Sequence, residues 1–426
     1  MKQLVLVAGH FTPSNLAAVH RARLWAQHLP ELGWQPTVIT THHRHYEEAL
    51  DWELNALVAA DVRVIRTPAV PTRPVRWIGD IGVRALPFHY RAISRLARRG
   101  EIDFLHITVP SHYSALLGRM VHAAHGVPFG IDYIDPWVHE WPGTERHFSK
   151  AWTSARLGEA LEPWAVRDAA LITGVAPLYY EDVLERNPDL RGRAVTAAMP
   201  YGGSELDFEA VRRAPADNPI FDPEDGLFHA VYAGAMLPRA YAVLDRFFEA
   251  VAALRAREPE VARRLRLHFV GTGSSPSDPE GHNVRPYIER HSLQALADEH
   301  PMRVPYLQVL TMLTQASATL ILGSTERHYT PSKAFQAVLA RRPVLALLHR
   351  ESTAARILED ARAATVVRLE ADDLPDPQIL ADTLATFIRG RSYDPDAVDW
   401  QAFEQHSARA SARALATALD QAIGAA

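Results

Sequence analysis

Short runs of β-branched and aliphatic residues alternate with helical stretches from the first residue onward, which restricts the chain to parallel sheets covered by helices on both faces. In the first half the strand-like runs are Leu4 to Ala8, Thr37 to Thr40, Val62 to Arg66, Phe104 to Val109, Phe129 to Tyr133, Ala170 to Val175 and Ala194 to Ala198. A stretch rich in Pro, Asp and Asn from Arg213 to Gly226 then breaks the pattern. It restarts at Phe228 to Ala233, Leu265 to Val270, Met302 to Val304, Thr319 to Leu322, Val344 to Leu348 and Thr365 to Leu369. The reading is an α/β chain with two doubly wound, Rossmann-like domains facing across a cleft. The expected boundaries are 1–208 for the amino-terminal domain, 209–226 for a linker and 227–399 for the carboxy-terminal domain. A final amphipathic helix at 400–426 would pack across the lobes, with Ala408, Ala412, Leu415, Leu419 and Ile423 at helical spacing. With 426 residues, two cores are also what length alone favours. Ligands of such sheets bind beyond the carboxyl ends of the strands, so the strand-to-helix loops should carry the chemistry.

Composition removes several function classes. There is no cysteine, which excludes disulfides, thiolate metal sites and thiol nucleophiles. A net charge of −5 gives no whole-chain case for nucleic acid. No apolar run reaches membrane-spanning length and the amino-terminal run is short for a signal peptide, so a cytoplasmic location is expected.

The stretch Thr330-Pro331-Ser332-Lys333-Ala334-Phe335-Gln336, ahead of the apolar run Pro343 to Leu348, has the form of a helix start suited to an anion. Thr330 suits the cap and Pro331 the first helical position, which aims the free N–H groups near Ser332 and Lys333 at a ligand. Gln336 shares a face with Lys333 and Ser332 and would read a sugar diol beside a phosphate. An ordinary capped helix feeding a buried strand gives the same pattern.

The order of further segments resembles the GT-B glycosyltransferases, particularly the family-4-like enzymes, over nearly the whole chain. Leu32-Gly33-Trp34 with Val38-Ile39-Thr40 is similar to the family's "GH-x-V-x-V-I-T" segment, and Asp132-Tyr133-Ile134-Asp135-Pro136-Trp137 to its "D-x-W" loop. Met199-Pro200-Tyr201-Gly202-Gly203-Ser204-Glu205-Leu206-Asp207-Phe208 stands where the family has "P-N-G-V-D…F". Tyr232-Ala233-Gly234-Ala235-Met236-Leu237-Pro238-Arg239 stands for "Y-x-G-x-L…K", and Phe269-Val270-Gly271-Thr272-Gly273 for "V-G-x-G".

The resemblance implies transfer of a sugar from a nucleotide-sugar donor to a hydroxyl acceptor, with retention and without a required metal or other cofactor. The acceptor would be a cell-surface glycan, a lipid-linked sugar or a small-molecule glycoside. Loss of the nucleoside diphosphate leaves growing negative charge, which Lys333, Arg239, the helix start at Ser332 and the turn at Gly234 are of the right type to stabilise. The donor set is Gly234, Gly271, Thr272, Gly273, His328, Thr330, Pro331, Ser332 and Gln336. Two departures stand out. The paired glutamates of retaining members, eight positions apart, are here His328 and Gln336, and Ala235 replaces the arginine after the phosphate-side glycine. In the ribose-side position that the resemblance implies, Gln336 would bond hydroxyls without the strength of a charged acceptor.

In the first half, His10 follows the first strand with a pKa suited to a general base, and Asp135 follows the fifth, where it would hold a hydroxyl. A structural loop histidine and a turn cap are the competing readings. His42, His43 and His45 with Glu47 and Glu48 are clustered in sequence, but adjacent loop histidines rarely converge on one ion, so no metal site is assigned. Arg73, Arg76, Trp77, Arg84 and Arg91 belong to the clearly basic stretch, which suits either an acidic acceptor or peripheral contact with an anionic membrane face, or else is a solvated helix. Two rival functions remain open: a nucleotide-sugar epimerase of the same fold, and a non-catalytic sugar- or nucleotide-binding subunit, the latter suggested by His328 and Gln336.

Overall fold

The computed structural model describes residues 1–424 apart from 75–77, 110, 139–143, 237, 274–277, 326–332, 391–393 and 395. The chain forms two compact units, one of Met1–Tyr201 with Ala408–Ala426 and one of Gly202–Ser407.

The first unit is built on seven parallel strands, β1 (Lys2–Ala8), β2 (Trp34–Thr41), β3 (Arg63–Thr67), β4 (Phe104–Val109), β5 (Phe129–Tyr133), β6 (Leu171–Gly174) and β7 (Val195–Ala198), in the order β3-β2-β1-β4-β5-β6-β7. Its central strands are buried along their length because helices cover both faces; all residues of β4 are buried. Gly118, in the Leu116–His125 helix, lets that helix lie directly on β5, since a Cβ there would stand 2.2 Å from Phe129 Cδ2. An ion pair with both partners fully buried crosses this interior. Arg21, from the Ala17–His28 helix, grips Asp132 of β5 through Nε and Nη2 at 2.7 and 2.8 Å and donates from Nη1 to the Met199 carbonyl at 2.6 Å. Thr173 of β6 donates to the same carboxylate at 2.7 Å.

The second unit carries six parallel strands, β8 (Phe228–Ala233), β9 (Leu265–Val270), β10 (Ala297–His300), β11 (Ala318–Leu322), β12 (Val344–His349) and β13 (Thr365–Leu369), ordered β10-β9-β8-β11-β12-β13. Both sheets therefore reverse direction at one place, between β1 and β4 in the first and between β8 and β11 in the second. Those are the crevices where doubly wound sheets bind ligands.

Three expectations are corrected. The edge strand is Ala297–His300 and not Met302 to Val304. Its sequence is polar because Asp298, Glu299 and His300 all make side-chain hydrogen bonds, and Pro301 follows it. The expected linker at 209–226 begins inside a helix, Glu205–Arg213, capped by Ser204 and held by buried Phe208 and Val211. That helix belongs to the second unit, so the units divide between Tyr201 and Gly202. The tail is two helices, Trp400–Glu404 and Ala408–Gly424, assigned to different units. The second packs within the first unit, where Trp25 Nε1 donates to Ser411 Oγ at 2.9 Å and Arg409 pairs with Glu31 at 2.7 Å.

Candidate active site

Each unit places a distinct group of polar residues at its sheet's reversal point. In the second unit β8 ends in Gly234, whose φ of +128° is open to glycine and strained for other residues. Gly234 N donates to the Val270 carbonyl at 2.8 Å, Met236 N to Thr272 at 3.2 Å, and Gly273 N to Pro301 at 2.9 Å. The loops after β8 and β9 are thus laced to each other and to the segment after β10.

Lys333 opens the described part of the helix after β11, Lys333–Leu339. Its Nζ lies 3.7 Å from the centre of the Tyr232 ring and donates to the Tyr232 hydroxyl, which itself donates to the Ala235 carbonyl at 3.1 Å. A Cβ at Gly234 would stand 3.2 Å from that Nζ, so the glycine makes room for the ammonium. Burial pushes the Lys333 pKa down to about 7. One turn on, Gln336 Oε1 is buried with no hydrogen-bond partner among the described residues. A buried acceptor without a donor costs about 1 to 3 kcal/mol, which a bound donor group would remove. Arg239 is exposed in the Pro238–Ala240 turn, and its carbonyl accepts from Thr325 N at 3.2 Å, tying that turn to the loop after β11.

In the first unit, His10 follows β1 and its Nδ1 meets Glu48 Oε1 at 2.7 Å. The His10 ring stacks on Tyr46 at 4.7 Å, and Ser14 Oγ donates to the same Glu48 oxygen at 2.5 Å. Burial raises the Glu48 pKa, but the hydrogen bond and charge of His10 and the Ser14 hydroxyl outweigh it and hold the carboxyl at about 2. An anionic Glu48 accepts from His10 Nδ1, so in the neutral ring Nε2 is the acceptor nitrogen. Asp135 is exposed beyond β5, its carbonyl 3.1 Å from His112 Nε2.

The chain has the GT-B fold, and its residues 17–202 match a glycosyl transferase 4-like domain. Solved structures similar to it include HepE from Anabaena in complex with UDP, at TM-score 0.60 and 14% identity over 99% of this chain and 100% of that one. The UDP-forming trehalose-phosphate synthase of Burkholderia xenovorans aligns at TM-score 0.62 and 13% identity over 99% of each chain. The amino-terminal domain of the Candida albicans trehalose-6-phosphate phosphatase aligns at TM-score 0.64 and 14% identity, over 99% of this chain and 97% of that one. No curated protein sequence matches the chain.

The structure brings Gly234, Gly271, Lys333 and Gln336 to one sheet's carboxyl edge, and His10 and Asp135 to the other's. His328, Thr330, Pro331 and Ser332 lie outside the described residues, as do Arg76 and Trp77. Two expected residues are reassigned. The Thr272 side chain is fully buried and its hydroxyl donates to Glu299 at 2.5 Å, so it fastens a loop and does not face a donor. Arg84 is buried, donating from Nε to the Val70 carbonyl at 2.8 Å and from Nη2 to the His45 carbonyl at 3.1 Å, which removes it from the basic surface. Arg73 and Arg91 are exposed. Gly271 and Gly273 spend their N–H groups on His300 and Pro301, so they offer close approach and not hydrogen-bond donors. Among the described residues no group of three or more His, Asp or Glu is arranged to hold a metal, and no helix is long and apolar enough to cross a membrane.

The sequence reading gave no role to Tyr232 or to Glu48. Tyr232 lay inside the Y-x-G segment, two residues from Gly234, so a signal was there. Glu48 is 38 positions from His10, and only the fold joins them.

Proposed function

We propose that this protein is a glycosyltransferase that takes a nucleoside diphosphate sugar at the second unit and transfers the sugar to a hydroxyl acceptor without a metal. The observation that carries the reading is Lys333 beside Gly234 and Tyr232, with Gln336 one turn away presenting a buried acceptor that no described residue satisfies. A diphosphate oxygen against Lys333 would restore its full positive charge, and a ribose hydroxyl donating to Gln336 would satisfy the amide. Arg239 adds a second cation for the leaving group. The Anabaena HepE structures hold UDP and UDP-glucose, which favours a uridine donor here.

In the transfer, the bond from the anomeric carbon to the diphosphate oxygen breaks with its electron pair going to phosphate, and the acceptor oxygen bonds the same carbon. Under retention the acceptor proton passes to the departing phosphate. A second reading is favoured by the Glu48–His10 pair: His10 Nε2, oriented with its lone pair available, takes that proton as a general base, and the product is inverted. Asp135 would orient the acceptor. The exposed arginines Arg73 and Arg91 would meet an acidic acceptor or an anionic membrane face.

The test is a thermal-shift panel of UDP, GDP, ADP, TDP and CDP with and without magnesium, followed by transfer assays with the stabilising nucleotide's sugars. Stabilisation by one nucleotide without metal supports the reading. Lys333→Ala should then lower kcat/KM by about 2 to 4 kcal/mol of transition-state stabilisation, a factor of thirty or more. Binding without turnover would instead identify a non-catalytic subunit, and sugar conversion without acceptor an epimerase. The anomeric configuration of the product decides between the two proton routes.

A further inference from the structure

We propose that His229 and His268 share one extra proton, and that this proton clasps the 214–227 segment onto the second sheet. The two residues stand on adjacent strands, β8 and β9, and are 3% and 6% exposed. His229 Nδ1 lies 2.9 Å from His268 Nε2. The outer nitrogens are both engaged by carboxylates: His229 Nε2 meets Asp225 Oδ1 at 2.9 Å, and His268 Nδ1 meets Asp298 Oδ1 at 2.9 Å. This makes one continuous line, Asp225, His229, His268, Asp298, and it is independent of the sugar-transfer reading.

Counting protons decides its state. A carboxylate accepts, so each outer nitrogen carries a hydrogen. If both rings were neutral, the two inner nitrogens would present lone pairs to each other at 2.9 Å, and a buried contact of that kind is repulsive. The hydrogen bond exists only when a third proton sits between them, giving the pair one positive charge. The surroundings suit a cation. Asp225 and Asp298 flank it, and hydrogen bonds from the histidines hold both carboxyls below the usual range. The Phe221 ring lies nearly parallel to both imidazoles, at 4.5 Å from His229 and 5.0 Å from His268, and offers its negative face.

Other charged groups on the elements around the pair are His300 and Arg266 and, within 214–227, Asp217, Asp222 and Glu224. His300 Nε2 meets the second oxygen of Asp298 at 3.1 Å, and Arg266 donates to the Arg263 and Leu265 carbonyls. The Tyr306–Gln315 helix, which fastens 214–227 elsewhere through Thr311 and Gln315, brings no carboxylate or basic side chain. Two nitrogens are too few ligands for the four-coordinate site zinc prefers, and among the described residues no third ligating group completes one.

Phe221 and Asp225 both lie in the 214–227 segment, so losing the shared proton removes the bond that holds the rings under Phe221 and beside Asp225. The test uses the full chain with 15N-labelled histidine and a long-range proton–nitrogen correlation at pH 7, assigned with His229→Gln and His268→Gln. The expected result is three hydrogens over the four ring nitrogens of the pair. Raising the pH to 9.5 should remove the third, and hydrogen-exchange protection factors within 214–227 should fall about tenfold, as for loss of one buried charged hydrogen bond. Asp298→Asn, which keeps the shape, should give the same loss of protection already at pH 7. Two hydrogens or four at pH 7 would overturn the proposal, as would a stoichiometric metal ion bound to the inner nitrogens. Unchanged protection in Asp298→Asn would overturn the clasp. If the histidine variants fail to fold, the signals that Asp298→Asn shifts supply the assignment, so the wild-type count is still read.

Discussion

Two charged side chains show how differently burial is resolved at single residues. Arg21 and Asp132 are both fully buried and answer each other with two hydrogen bonds. Arg21→Ala would leave Asp132 charged in the interior, and a loss of about 3 to 5 kcal/mol is expected in denaturant unfolding. Lys333 has no such partner among the described residues, and its pKa falls to about 7 from 10.5. Between those values the folded chain holds fewer protons than the unfolded one, so this group's contribution to stability rises with pH through that window. A bound diphosphate reverses the shift. Nucleoside diphosphate binding should therefore weaken from pH 7 to pH 9 and take up as much as one proton, measured by calorimetry in buffers of different ionisation heat. Lys333→Arg, always charged, should abolish the pH dependence. No proton uptake in the wild type would place Lys333 away from the diphosphate. The Lys333 and Gln336 pairing was legible because helical spacing puts them on one face. Arg21 was not read as special, since a helix arginine carries no local sign that its partner is 111 residues away.

Among the elements, the helix Lys333–Leu339 owes its placement to Gly203 as well as to its own apolar face. A Cβ at Gly203 would stand 2.6 Å from Leu339 Cδ1 and 3.0 Å from Phe335 Cβ. Gly203→Ala should displace that helix and with it Lys333, so stability should fall by about 1 to 3 kcal/mol and nucleotide binding should weaken together. Unaltered nucleotide affinity would show that the helix yields elsewhere. Glu299 is the counterpart on the edge strand. It accepts from the backbone N–H groups of Asn283, Val284 and Arg285 and from Thr272, pinning the far end of the loop after β9. A polar Ala-Asp-Glu-His strand was invisible to a reading based on apolar runs, and the apolar Met302 to Val304 nearby drew the assignment instead. Thr272 was misread for the same reason: a glycine-flanked threonine looks the same whether its hydroxyl faces a ligand or a buried carboxylate.

Across the whole molecule the two units differ in their buried titratable groups. The first holds His89 and His106, whose pKa values burial lowers to about 4 from 6.5, and Glu48 at about 2. Below pH 6.5 the unfolded chain takes up protons that these folded histidines refuse, so the first unit should lose stability as pH falls from 6.5 to 4, by at most about 3 kcal/mol per histidine. Urea unfolding followed through Trp25 and Trp34, both buried there, would measure it. His106→Gln should flatten the slope even if it lowers the plateau, and an unchanged slope would assign the acid sensitivity to other groups. The sequence by itself determined the class of fold, because parallel strands buried on both faces must be written as apolar runs between amphipathic helices. It also determined the glycines after β8 and β9 and the lysine on the helix after β11, since backbone conformation and helix face are local properties. Only the tertiary structure decided which polar groups meet. The pairing of His10 with Glu48, the burial of Arg84, the Tyr232 ring under Lys333 and the line from Asp225 to Asp298 all join residues brought together by strand order and register. A hydrogen bond depends on distance in space, and the spacing of residues along the chain does not contain it.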